Sequence, residues 1–270
     1  VSAAASRRSF LTRAAIVGLG AGAVSGLFGV GGGILIVPGL ILVMHMEQRL
    51  AHGTSLAAVL PISVASLVGY LADGKVDWAV ALPLSAGAVA GALVGTKLLH
   101  VLPHRATGFG FVGVILVTAV RLLTDNGLAD GRSTLHVGAV LALVVTGLLT
   151  GILAGLFGVG GGVIMVPAMV MLFGMTPAMA KGTSVAVIIP TALMGTWRNR
   201  KNRNADLAVA VAVGLAGVVS AYLMAKVAVG MSDELSNTLF AILLLVVAAR
   251  LTWDLVREGR QPVEELDLVE

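Results

Sequence analysis

The octapeptide Gly26-Leu27-Phe28-Gly29-Val30-Gly31-Gly32-Gly33 recurs without a change from Gly155 to Gly162, 129 positions further on. At the same spacing, with no gap, Pro38 corresponds to Pro167, Gly53-Thr54-Ser55 to Gly182-Thr183-Ser184, Pro61 to Pro190, Asp77 to Asp206, Lys97 to Lys226 and Arg121 to Arg250. Repetition this sustained means two homologous units, over residues 14–125 and 143–254. Around them lie a basic N-terminal segment, 1–13, a connector with the start of the next span, 126–142, and a polar C-terminal tail, 255–270. The two units must solve the same folding problem, so whatever interrupts one interrupts the other.

That problem is set by the solvent. The chain is 57% hydrophobic and 12% charged, against roughly 45–50% and about 25% in soluble domains. Apolar runs lie at about 11–46, 52–72, 78–101, 107–124, 134–174, 182–197, 206–228 and 234–253. Runs near twenty residues match one helix crossing a hydrocarbon core about 30 Å thick. The runs at 11–46 and 134–174 are too long for that, since one helix over the whole of 11–46 would reach about 54 Å. Each must break, and the clustered glycines mark the place because they disfavour continuous helix. Pro38 and Pro167 follow just beyond, a further source of irregular geometry.

The expected fold is therefore an all-α integral membrane protein of two helical repeats, each with a glycine-broken first helix. If each broken run crosses twice, the repeats hold five segments each and are inverted. If it crosses once beside a re-entrant piece, they hold four each and are parallel. Run length favours the inverted form. Pro61 and Pro190 fall inside equivalent helices, as kinks or as packing relief.

The formal net charge is +4, but the basic residues sit in connectors rather than on one face, which excludes a nucleic-acid partner. Arg7, Arg8 and Arg13 precede the first span, Arg198, Arg200, Lys201 and Arg203 fill one connector, and Arg257 and Arg260 follow the last span. All three regions are expected in the cytoplasm, with both termini. Trp197 and Trp253 stand beside these charges as interface anchors do. Ser6 to Leu11 has the form of a twin-arginine export signal, yet no soluble passenger follows, and a basic anchor before the first span is the better reading. Val1 in place of an initiator methionine points to an earlier start or to processing. The lipid bilayer is one partner, and a homo-oligomer is compatible with the sequence.

Cysteine is absent, which removes disulfides, thiolate metal sites and cysteine nucleophiles. No cofactor or metal is implied. Gly108, Gly110 and Gly113 form a G-x-G-x-x-G inside an apolar helix with no strand before it, and Gly91 to Lys97 misses the phosphate-loop spacing. Ser and His show no catalytic spacing, so the chain is not read as an enzyme.

Candidate site residues come from the breaks. Irregular backbone survives in a bilayer only where protein or a watery cavity satisfies it. In transporters such breaks aim helix N-termini, with free N–H groups and a partial positive charge, at an anion. The helical pieces that begin near Gly33 and Gly162 fit this, making the amides of Gly31, Gly32, Gly33, Gly160, Gly161 and Gly162 candidates. Close packing is the plainer explanation of Gly18, Gly22 and Gly26, at four-residue spacing. Thr54, Ser55, Thr183 and Ser184 are expected at the start of the next helices, capping amides or donating to an oxyanion. Lys181 adds a cation where the first repeat has His52. Asp77 and Asp206 are expected as N-caps, and Lys97, Lys226, Arg121 and Arg250 as snorkelling span ends. With no carboxylate in mid-membrane, the pattern disfavours a proton relay or cation site.

These features together resemble the TauE/SafE permeases: Gly26 to Pro38 and Gly155 to Pro167, each followed by a Thr-Ser pair, and Asn204-Ala205-Asp206 before the next span. The likeness covers nearly the whole chain. It implies a secondary transporter of the bacterial inner membrane for small sulfur-containing anions such as sulfite, sulfoacetate or other organosulfonates, often in export. The small anionic substrate would bind between the breaks under alternating access. A passive anion channel, or a non-transporting assembly or sensor subunit, are the rival readings.

Overall fold

The computed structural model describes residues 3–98, 104–124, 137–157, 161–201 and 204–258. The connector expected around 126–142 is described only from Val137 onward, and Gly160, Arg203 and Arg260 lie outside the described residues. Ten helices are described: α1 (Ala3–Phe28), α2 (Gly33–Leu42), α3 (Gln48–Leu71), α4 (Trp78–Leu98), α5 (His104–Thr124), α6 (Val137–Phe157), α7 (Gly162–Phe173), α8 (Pro177–Lys201), α9 (Leu207–Val229) and α10 (Asp233–Glu258). Four of the second five start where the 129-residue offset carries the first, Gly33 to Gly162, Gln48 to Pro177, Trp78 to Leu207 and His104 to Asp233. Five helices are long and apolar enough to cross a membrane by themselves: Ser9–Phe28, Gln48–Leu71, Pro177–Lys201, Leu207–Val229 and Asp233–Arg257.

Glycine contacts report helix direction. A methyl group on Gly18, Gly22 or Gly26 of α1 would overlap the backbone carbonyls of Val213, Gly217 and Ala221 of α9. The two numbers rise together, so α1 and α9 run parallel at backbone contact, which only small residues permit. Gly87 and Gly91 of α4 meet Val144 and Leu148 of α6 in the same way. Since α6 repeats α1 and α9 repeats α4, each repeat docks its first helix on the fourth helix of the other. The sequence expectation that Gly18, Gly22 and Gly26 serve packing is met.

The third helices behave differently. Gly53, early in α3, lies against Asn199 and Asn204 at the end of α8, while Gly182, early in α8, lies against Tyr70 and the Lys75 carbonyl at the end of α3. These two equivalent helices therefore run antiparallel. Within the first repeat, Gly32 packs on Ala21 and Gly39 on Val17, so α2 retreats along α1 as it advances. The chain reverses direction between Phe28 and Gly33, where Gly29, Gly31 and Gly32 have φ of 69°, 76° and 73°. An L side chain in that region costs roughly 1–2 kcal/mol, which is why glycine makes the turn.

Two further consequences bear on the site. Leu19, Val64, Val68, Leu82, Leu141, Leu193, Leu215 and Val219 are exposed, a surface that suits acyl chains and not water. The basic residues gather at one end: the end of α8, with Arg198, Arg200 and Lys201, meets the start of α3, and Leu255 near the end of α10 meets Gly108 near the start of α5. Trp197 and Trp253 are exposed there, with the Arg257 guanidinium 5.0 Å from the Trp253 ring centroid. At the opposite end, Lys226 does not snorkel alone but pairs with Asp73 at 2.7 Å.

Candidate functional site

The turn of the first broken run and the start of α7 touch. A methyl group on Gly162 would meet the Val30 Cα at 2.6 Å and the Gly29 carbonyl at 2.8 Å. Val59 of α3 and Ile188 of α8, equivalent residues, close on Gly31 from either side, and Ile188 also reaches Gly162. Gly31, Gly32, Gly33, Gly161 and Gly162 are all buried. The breaks are thus close-packed in this conformation, with no space left at Gly29, Gly32 or Gly162 for a side chain.

Packing does not satisfy their hydrogen bonds. The residues before α2 and α7 are Gly32 and Gly161, with φ of 73° and 72°, and neither helix has a side-chain cap. The first hydrogen bonds are those from the N–H groups of Leu35 and Ile36 to the Gly32 carbonyl and of Ile164 and Met165 to the Gly161 carbonyl. Among the described residues, no acceptor takes the N–H groups of Gly33 and Ile34 or of Gly162 and Val163. A buried donor left unpaired costs about 1–3 kcal/mol, and each helix start carries a partial positive charge.

Two carbonyls at the first break are answered by side chains. The Gly26 carbonyl takes the Tyr70 hydroxyl at 2.7 Å, and the Gly29 carbonyl takes the Ser184 hydroxyl at 2.9 Å. Ser55, the counterpart of Ser184, is fully buried and its Oγ has no partner. No cluster of metal-ligating side chains occurs among the described residues.

The threonines do something else. Both Thr-Ser pairs lie in the second turn of their helices rather than at the start, because α3 begins at Gln48 and α8 at Pro177. Thr54 Oγ1 accepts the Asp206 N–H at 2.9 Å, and Thr183 Oγ1 accepts the Asp77 N–H at 3.0 Å. Each clasp ties one repeat to the other. Asp77 and Asp206 are N-caps, as the sequence leads one to expect: their carboxylates accept the N–H groups of Ala79 and Val80 and of Ala208 and Val209.

Lys181 is 1% exposed. Its Nζ donates to Ser236 Oγ at 2.6 Å and stands 5.6 Å from the centroid of the Phe28 ring. Sequence reading missed Ser236, Tyr70 and the paired hydroxyls of Ser25 and Ser66, 3.2 Å apart. Their signal was a polar side chain within an apolar helix, present in the sequence but not separable there from a back-bonded hydroxyl such as Thr191, which donates to the Val187 carbonyl.

The sequence profile described as sulfite exporter TauE/SafE matches residues 2–122 and 143–267, two blocks that fall on the two repeats. The chain is 25% identical over 268 residues to the probable membrane transporter protein YunE of Bacillus subtilis, covering 90% of this chain and 96% of that protein. It is 27% identical over 249 residues to a probable membrane transporter protein of Xylella fastidiosa, covering 88% and 95%. The probable membrane transporter protein YdhB of Bacillus subtilis is 35% identical over a shorter stretch, 35% of this chain and 39% of that protein.

Proposed function

Since the chain belongs to the sulfite exporter TauE/SafE family, and so is a multi-pass membrane transporter and not an enzyme, we propose that it exports a small sulfur-containing anion by alternating access. Sulfite, sulfoacetate and related organosulfonates are the substrate class, and the bacterial inner membrane is the setting. One observation carries the reading: the starts of α2 and α7 meet, and their first N–H groups have no acceptor among the described residues. An oxyanion supplies the missing acceptors and neutralises both dipoles. A metal cation would find no cluster of ligating side chains among the described residues.

In this scheme the N–H groups at Gly31 to Gly33 and Gly160 to Gly162 hold the anion, and Ser55 adds a hydroxyl donor. Thr54 and Thr183 hold the repeats together around it and do not touch it. The repeats are five plus five segments in inverted topology: antiparallel α3 and α8, equivalent by sequence, support this, as does the return of α2 along α1. The end that gathers the basic residues faces the cytoplasm, with both termini. The repeats rock about the anion to open it to either side.

Ser55→Ala tests the site. Its Oγ makes no hydrogen bond, so a purely structural role predicts unchanged stability and unchanged flux. The proposed role predicts an unchanged Tm with KM for sulfite or organosulfonate counterflow in liposomes raised about tenfold, the loss of one hydrogen bond to a charged group. Unchanged KM removes Ser55 from the site. Flux that neither saturates nor shows counterflow identifies a passive channel.

A further inference from the structure

The central amides carry no formal charge, yet a lysine side chain is buried beside them. Lys181 borders the first break itself: a methyl group on Gly29 would meet the Lys181 carbonyl at 2.6 Å and its Cα at 2.7 Å, and the Gly29 carbonyl in turn lies against Gly162. Its direction is away from the basic end of the molecule, since α8 starts beside the end of α3. The ammonium has three N–H donors, and Ser236 Oγ takes one. Asp233, at the start of α10, acts on it electrostatically, but no carboxylate among the described residues comes within ion-pair distance. Phe28, stacked obliquely on Phe240 at 5.8 Å, walls the charge on another side.

From the centre towards this end of the molecule, one face of α3 is polar. Beyond Val59, α3 carries Ser63, Ser66 and Tyr70 at spacings of four and three residues, one helical face. Ser63 Oγ is buried without a partner, Ser66 meets Ser25, and Tyr70 packs against Gly182, next to Lys181. The equivalent positions of α8 are Ala192, Gly195 and Asn199. A buried ammonium with unspent donors, at the end of a file of hydroxyls, is built for an anion.

We propose that Lys181, with Ser236 and the wall of Phe28, forms a second anion station on the non-cytoplasmic side of the central site, and that it accepts singly charged oxyanions in preference to doubly charged ones. The inference rests on the anion-transport reading and adds a charge rule to it. One ammonium among buried side chains compensates one negative charge; a second is left uncompensated and faces Asp233 as well. The station has no equal in the first repeat, where His52 replaces the lysine.

The test uses full-length protein in neutral detergent without anionic lipid, at constant ionic strength. Thermal unfolding is followed with methanesulfonate or sulfate, for wild type, Lys181→Met and Lys181→Arg, while flux is measured separately in liposomes. Methanesulfonate is expected to stabilise wild type with an apparent Kd about tenfold below that of sulfate. Lys181→Met should weaken methanesulfonate about tenfold, and Lys181→Arg should restore most of it. Sulfate binding as well as methanesulfonate, Lys181→Met binding as tightly as wild type, or no stabilisation by either anion overturns the station. The comparison of the two anions needs wild type alone and decides the matter even where Lys181→Met does not fold. Absent flux with this binding pattern intact overturns the transport reading and leaves the station standing.

Discussion

The two repeats share their backbone plan and part company in their side chains. Both turn at a left-handed glycine, both leave the first amides of a half-length helix uncapped, and both send a threonine across to the other's aspartate. Yet Ser184 is bonded where Ser55 is free, Lys181 stands where His52 does, and α3 carries hydroxyls where α8 carries Ala192 and Gly195. The shared features are those that hold the frame at the centre. The differences lie in the side chains that α3 and α8 carry beside the breaks and outward from them.

The comparison can be broken most forcefully at the turn. Gly29→Ala places a methyl at φ 69° against the backbone of Lys181, combining backbone strain with overpacking, and should cost on the order of 3 kcal/mol or more. Little folded protein is expected on size-exclusion chromatography; near-normal yield would mean that the turn adapts and glycine is not required there.

The clasps offer a smaller and symmetric effect. Thr54→Val and Thr183→Val each strand one backbone N–H, of Asp206 or Asp77, at a cost of about 1–3 kcal/mol. Both should lower Tm in detergent by similar amounts, with additive loss in the double variant, since the two clasps share no group. A loss confined to one variant would show that the repeats are not joined equally.

The smallest effect sharpens the contrast between the serines. Ser184→Ala leaves the Gly29 carbonyl without its donor and should cost about 1 kcal/mol, whereas Ser55→Ala should leave the unfolding free energy within about 0.5 kcal/mol of wild type. Equal shifts on thermal unfolding would mean that Ser55 has a structural partner after all.

Much of this was legible in the residues. The offset of 129 residues fixed the two units, and four of the second five helices start where it carries the first, as from Gly33 to Gly162 and from Trp78 to Leu207. Gly18, Gly22 and Gly26 announced close packing, and Asp77 and Asp206 announced caps. The threonines were legible only in part: a hydroxyl near a helix start reads as a local cap, and nothing along the chain says that its amide belongs to the other repeat, 152 residues away. Tyr70 and Ser236 were silent for the same reason, their partners Gly26 and Lys181 lying 44 and 55 residues off.

Sequence alone determined that the chain is lipid-solvated, duplicated, and broken at two glycine clusters, because hydropathy, repetition and the conformational freedom of glycine are properties of residues and their spacing. Only the tertiary structure decided that α3 and α8 oppose each other, that each first helix packs on the other repeat's fourth, and which buried donors go unanswered. Direction and satisfaction are relations between segments far apart in the chain, fixed when backbones come into contact, and no local pattern encodes them.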